Sequence, residues 1–103
     1  MLTFNLKKQW SKKIRSGEKT IEYRKVKPYW TKRLGNINDG SAAFVWVQFA
    51  SANRPKCILR LGYTKRHMTA EVTEIEIVDG KDTDLHIDKP VYAIHLANIR
   101  ERI

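Results

Sequence analysis

The chain has 103 residues, of which 42% are hydrophobic and 30% charged, and it carries a formal net charge of +9. This length fits one compact domain rather than two, and the sequence has no apolar run near the roughly 20 residues that cross a membrane. The N-terminus has no basic and apolar pattern typical of export, and the single cysteine, Cys57, excludes an internal disulfide. These features predict a cytoplasmic protein in which Cys57 is a small buried side chain.

The chain opens with a predicted strand and a predicted helix. Residues 7–16 follow a helical period, with apolar side chains four residues apart and basic ones between them. Gly17 comes next, in the position that favours a left-handed helix cap. Before the helix, apolar side chains alternate with polar ones as in a half-buried strand, at Leu2, Phe4 and Leu6.

A second strand is predicted at residues 20–26, which are rich in β-branched and aromatic side chains. Strand alternation places Glu22 and Arg24 on one face, and Lys19 stands at the strand entrance. We therefore expect these three charged groups to share one polar site, with Glu22 facing an open cleft. The alternative is a turn followed by a solvated edge strand.

The rest of the chain predicts further strands around a single core. Its predicted elements are a short helical turn at 29–34 closing at Gly35, a central strand at 42–50 buried on both faces, a strand at 57–67 interrupted at Gly62, a bulged strand at 69–79, a polar connection at 79–90 and a last strand at 91–96. Helical and strand periods assign Trp10, Phe44 and Trp46 to the core. Together these elements predict one α+β domain over residues 1–103, mostly β, with five or six strands and one main helix.

The positive charge is concentrated in residues 7–33, here called the basic segment. It holds eleven Lys and Arg against two Glu, whereas nine basic and nine acidic residues cancel in the rest of the chain. A polyanion-binding face needs such segregation and solubility does not, so the basic segment predicts contact with RNA or a nucleotide. The alternative is a lysine-rich solvated helix. The predicted contact residues beside the polar site are Lys8, Lys12, Lys25, Tyr29, Trp30, Lys32 and Arg33, with Lys65 and Arg66 from a later basic loop.

Two of these assignments, and one acidic loop, leave alternatives open. Tyr29 and Trp30 have basic neighbours and could stack on a base, although Trp30 could equally pack in the core. Asp82, Asp84, His86 and Asp88 alternate and could hold a hard cation, but they lack the spacing of a calcium loop and a solvated loop is the alternative. His95 is expected on a sheet face or in the core. No metal ligand is assigned and no cofactor is predicted.

The string Gly17-x-Lys19-x-x-Glu22-x-Arg24 resembles the G-x-K-x-x-E-x-R signature of ASCH domains, small β-barrel domains of the PUA-like superfamily. The strand and basic helix that precede the string match that family as well. The resemblance implies a barrel-like β core with a cleft beside the helix, and a role in binding RNA or a nucleotide-sized ligand. The four signature residues are the predicted ligand-binding residues, and the oligomeric state stays open, with a monomer favoured.

The same resemblance implies an enzymatic alternative. Some small bacterial members are amidohydrolases acting on N4-acetylcytidine, and others have been proposed to be nucleases. Lys19 aligns with the lysine proposed to be catalytic, and Glu22 stands where those amidohydrolases have a threonine. In that alternative Lys19 and Glu22 are the reacting pair.

Overall fold

A computed structural model describes residues 2–36, 46–62 and 66–102. These residues form an α+β fold, 51% strand, in which two α-helices accompany one curled half-barrel sheet. Neither helix combines the length and the apolar character that crossing a membrane requires, within the part of the chain described. The elements are β1 (Leu2–Leu6), α1 (Lys8–Ser16), β2 (Ile21–Lys25), α2 (Pro28–Asn36), β3 (Trp46–Gln48), β4 (Lys56–Leu61), β5 (His67–Asp79) and β6 (Pro90–Arg102), with short 3-10 turns at Ser51–Asn53 and Gly80–Asp82.

The strands follow the order β1-β4-β5-β6-β2, and β3 pairs with β5 outside this path. The β1–β4 pair is parallel and the others are antiparallel. One apolar cluster joins β1, β4, β5 and β6 to both helices. Ile14 of α1 and Leu34 of α2 are fully buried in it, and Trp30 of α2 stacks on Phe4 of β1 with ring centroids 5.2 Å apart. The helices therefore cover the same face of the sheet.

The structure confirms the predicted strand–helix–strand start of the chain. The backbone of Gly17 has a φ of 88°, and its N–H donates to the Ile14 carbonyl oxygen at 3.2 Å, which ends α1. A residue with a Cβ is strained at this φ, so glycine ends the helix without conformational strain. The cap fixes the direction in which the chain enters β2.

Two predicted elements differ in the structure. Helix α2 runs from Pro28 to Asn36 and therefore contains Gly35 instead of closing there. The central strand predicted at 42–50 is wrong for its described part, because β3 covers only three residues, and Trp46 is 56% exposed. In the described residues β3 pairs with β5 alone, so it is a short edge piece whose tryptophan lies outside the core. Residues 42–45, with Phe44, lie outside the described residues.

The last two strands are long and pair along most of their length. The strand predicted at 91–96 extends to Arg102, because its polar end pairs with the start of β5, where His67 lies opposite Arg102. The predicted bulge in β5 is confirmed by register shifts between Thr69 and Glu71 and between Val72 and Glu74. The second shift lets the core side chains change from even to odd numbers, which turns the neighbouring glutamates to the opposite face.

Candidate functional site

Lys19 occupies a polar site at the entrance of β2. Its ammonium group pairs with the Asp84 carboxylate and lies over the rings of Trp10 and Tyr23, 4.9 and 5.2 Å from their centroids. The lysine side chain is only 9% exposed. A carboxylate and two ring faces all attract a cation, so the contacts of Lys19 are complementary to its positive charge.

A cavity of about 290 Å³ opens beside this ammonium group. Its walls come from α1, from the connection at 18–20, from the start of β2 and from Asp84, and they include Trp10, Lys13, Lys19 and Tyr23. Lys13 places a second ammonium group 5.2 Å from the centre of the Trp10 ring. The cavity thus combines two cations, two carboxylates, from Glu18 and Asp84, and two aromatic rings. Such walls suit a flat polar ring that offers both hydrogen-bond donors and acceptors.

Glu22 and Arg24 point away from this cavity. They alternate with Tyr23 along β2 and therefore lie on its other face. The side chain of Glu22 is 7% exposed, and its Oε1 is 3.7 Å from Nη2 of Arg24. The expectation that Glu22 faces an open cleft is wrong, and the partner of Lys19 is Asp84 instead. The signature is therefore divided between the two faces of one strand.

Arg24 of β2 contacts β1, the strand at the other edge of the sheet. Its Nη2 donates to the Asn5 carbonyl oxygen of β1 at 3.1 Å. Its guanidinium group also lies over the rings of Phe4 and Trp30, 5.2 and 5.1 Å from their centroids. Since β1 and β2 are the first and last strands of the sheet order, this side chain joins the edges of the half-barrel. The role of Arg24 in this geometry is structural.

Burial raises the pKa of two groups in this part of the fold, the Glu22 carboxyl and the Cys57 thiol. Desolvation raises the pKa of the Glu22 carboxyl above its ordinary value, and the charges of Arg24 and Lys19 lower it only in part. Desolvation, together with the nearby Glu22, also raises the pKa of the Cys57 thiol to about 12. Cys57 is fully buried, as predicted, and such a thiol is a poor nucleophile at neutral pH.

Replacing Glu22 by glutamine tests this burial through the pH dependence of stability. When folding raises the pKa of a carboxyl, that group stabilises the fold fully at any pH below its pKa in the unfolded chain. This contribution is lost as the pH rises through the pKa in the folded chain. Glutamine cannot ionise, so the free energy of unfolding of Glu22→Gln should rise relative to wild type as the pH increases from about 4 to 7. Urea unfolding at each pH measures the difference. A difference that falls over this range would contradict a raised pKa.

The other predicted contact residues are mostly exposed. Of the eleven basic residues in the basic segment, only Lys19 and Arg24 are not exposed. Tyr29 is 51% exposed, with the Arg33 guanidinium group 3.5 Å from its ring centre, whereas Trp30 is 8% exposed and packs in the core. The structure thus supports the packing interpretation for Trp30. Exposed candidates elsewhere in the basic segment are Lys8, Lys12, Lys25 and Lys32.

Among the described residues, the candidates that follow the basic segment in the chain do not line the Lys19 cavity, apart from Asp84. Arg66 is exposed and pairs with Glu101 at 2.9 Å, and Lys65 lies outside the described residues. In the acidic loop, Asp84 pairs with Lys19 and Asp88 pairs with Lys81 at 3.3 Å. The loop therefore supplies partners for lysines.

Several residues of the cavity were not predicted as parts of the site, among them Trp10, Tyr23 and Asp84. The helical period assigned Trp10 to the core, but its ring is half-buried and lines the cavity. Tyr23 received no role, and Asp84 is 65 residues from the lysine that it contacts. No local pattern joins residues so far apart.

Comparisons with protein-family profiles, with curated proteins and with solved structures find no match for this chain. The resemblance to ASCH domains therefore stays a prediction from the signature string and the elements around it.

Proposed function

We propose that this protein binds single-stranded RNA or a nucleotide. The observation that carries the proposal is the exposure of nine of the eleven cations in the basic segment, together with an aromatic and polar cavity on the same segment. Exposed lysines that neutralise phosphates release counterions from the nucleic acid, which supplies affinity without sequence specificity. The exposed cations would contact the phosphates while the cavity receives a base.

The walls of the cavity suit an unstacked base. The Trp10 ring offers an aromatic surface, and base–aromatic stacking contributes about 1–3 kcal/mol for each base. The Lys19 ammonium donates hydrogen bonds and the Asp84 carboxylate accepts them, so the pair is complementary to a base edge that carries both an acceptor and an amino group.

The hydrolase alternative is less well supported by this geometry. The two members of a reacting pair must reach the same substrate. Glu22 is buried on one face of β2, whereas Lys19 lies over the ring of Tyr23, which projects from the other face. A nucleophilic lysine also needs surroundings that disfavour its charge, and Asp84 does the reverse. Binding is therefore our preferred function.

The ASCH assignment belongs to the same proposal. A half-barrel of six strands, with a basic helix between the first two, fits the architecture that the resemblance implies. On that basis we propose an ASCH-like domain of the PUA-like type.

Charge reversal on α1 tests the proposal. In the Lys12→Glu/Lys13→Glu variant we expect at least a roughly tenfold loss of affinity for an unstructured RNA oligonucleotide, whatever its sequence. The slope of log affinity against log salt should fall by about 1.4, since each single-strand phosphate contact contributes about 0.7. Fluorescence anisotropy at several salt concentrations measures both quantities.

A second double variant is the matched control. Lys56→Glu/Lys89→Glu makes the same change in net charge at two exposed lysines outside the basic segment. It should keep most of the affinity. Equal losses in the two variants would show a general charge effect and would remove α1 from the interface.

A further inference from the structure

Three ligand-type side chains meet on the sheet next to the Lys19 cavity, whose lining residue Ile21 lies opposite His95, although none of the three lines that cavity. They are Glu74 and Glu76 of β5 and His95 of β6, and one ligand atom from each lies within 4.8 Å of the others. His95 Nε2 is 3.7 Å from Glu74 Oε1 and 3.7 Å from Glu76 Oε2. The imidazole nitrogen therefore faces two carboxylates at the same distance.

The strand register explains why these groups meet. His95 lies opposite Glu74, and Ala93, two residues earlier on β6, lies opposite Glu76. Paired residues of antiparallel strands share a face, so all three side chains project from the face opposite Ile75. The bulge after Val72 produces this arrangement, since without it Glu74 would have the parity of the core side chains.

The Nε2 atom of His95 lies near two carboxylates but makes no hydrogen bond to either of them. His95 Nε2 is buried and has no hydrogen-bond partner within the described ranges 2–36, 46–62 and 66–102, and 3.7 Å is too long for a hydrogen bond to either glutamate. The spacing suits ligands that share a metal ion. With metal–ligand bonds of about 2.1 Å, neighbouring ligand atoms of a tetrahedral zinc site are about 3.4 Å apart.

A neighbouring residue orients one of the carboxylates. The Trp46 indole Nε1 donates to Glu74 Oε2, which leaves Oε1 directed at His95. Hydrogen bonds of this kind hold metal ligands in position in known sites. The three ligand side chains are 25–33% exposed, so an ion can enter and a water can complete its coordination.

From this geometry we infer that Glu74, Glu76 and His95 bind a divalent transition-metal ion, with zinc as the best-fitting case. One imidazole nitrogen with two carboxylate oxygens is a donor set that suits such ions, whereas Mg²⁺ and Ca²⁺ take oxygen ligands alone. The site has three protein ligands and therefore leaves at least one coordination position open.

Zinc titration of the purified full chain tests the inference. In competition with a chromophoric chelator, the wild type should bind one Zn²⁺ per chain, and Mg²⁺ at the same concentration should not displace it. His95→Asn and Glu74→Gln should each weaken Zn²⁺ binding by about 100-fold, and Trp46→Phe by about tenfold. The Trp46 indole N–H signal in NMR spectra should shift as Zn²⁺ binds.

A matched histidine variant is the control. His86 is exposed and has a φ of 46°, which asparagine tolerates, so His86→Asn should fold and bind Zn²⁺ like the wild type. Circular dichroism checks the fold of each variant, and Glu74→Gln keeps the side-chain shape if His95→Asn is unstable. Absence of 1:1 binding by the wild type, or equal affinity in folded Glu74→Gln and wild type, would overturn the inference. In that case His95 and the two glutamates are only polar neighbours on the sheet.

Discussion

Replacing Arg24 by alanine is expected to lower the free energy of unfolding by about 3–5 kcal/mol, the usual cost of leaving a buried charge without its partner. Glu22 loses its nearest cation in this variant, and its other carboxylate oxygen already has no hydrogen-bond partner among the described residues. The variant also loses the link to the Asn5 carbonyl and the cation–π contacts with Phe4 and Trp30. Urea unfolding measures the change.

Two further variants separate the buried pair from a general loss of charge. Lys25→Ala removes the neighbouring exposed cation and should change the free energy of unfolding by less than about 0.5 kcal/mol. Adding Glu22→Gln to Arg24→Ala should recover part of the lost stability, because no unpaired charge then remains buried. Wild-type stability in Arg24→Ala would show that the arginine does not hold the edges of the half-barrel together.

The largest expected effect on binding comes from Lys19→Ala. A hydrogen bond from a charged group contributes about 1.5–3 kcal/mol, so the affinity for an RNA oligonucleotide or a nucleotide should fall by roughly 10- to 150-fold. The stability cost should be small, because the abandoned carboxylate of Asp84 is 33% exposed and can be hydrated. Binding titrations and thermal melts on the same preparation measure both effects.

Lys19→Arg distinguishes binding from catalysis. Arginine keeps the positive charge but does not give up its proton, so a binding site should retain much of its affinity. Incubation of both proteins with acetylated nucleosides, followed by chromatography, should show no product. Turnover by the wild type that disappears in Lys19→Arg would favour the hydrolase and contradict our proposed function.

The local parts of the fold were predictable from the sequence. Alternation indicated β1, the helical period and Gly17 gave the extent of α1, and the parity change in 69–79 indicated the bulge that the structure confirms. Each of these features depends on residues close together in the chain. The polar end of β6 was missed because its pairing with the start of β5 leaves no apolar alternation.

The site was only partly predictable, for a related physical reason. Alternation shows that Glu22 and Arg24 share a face of β2, but it does not show which face the core covers. Burial of Glu22 becomes tolerable only because Arg24 accompanies it, and charged residues are otherwise expected outside. The Lys19–Asp84 pair depends on the tertiary fold, which brings the acidic loop to the entrance of β2.

The three tryptophans allow the most direct test of the proposed binding site. Trp10 lines the cavity, Trp30 is buried in the core, and Trp46 is exposed beside Glu74. An unstructured RNA oligonucleotide is titrated in metal-free buffer while the three indole N–H signals are followed by NMR. We predict that the Trp10 signal shifts in proportion to the bound fraction and that the Trp30 and Trp46 signals stay in place. RNA binding that shifts Trp46 and leaves Trp10 unchanged would contradict the cavity beside Lys19 as the binding site.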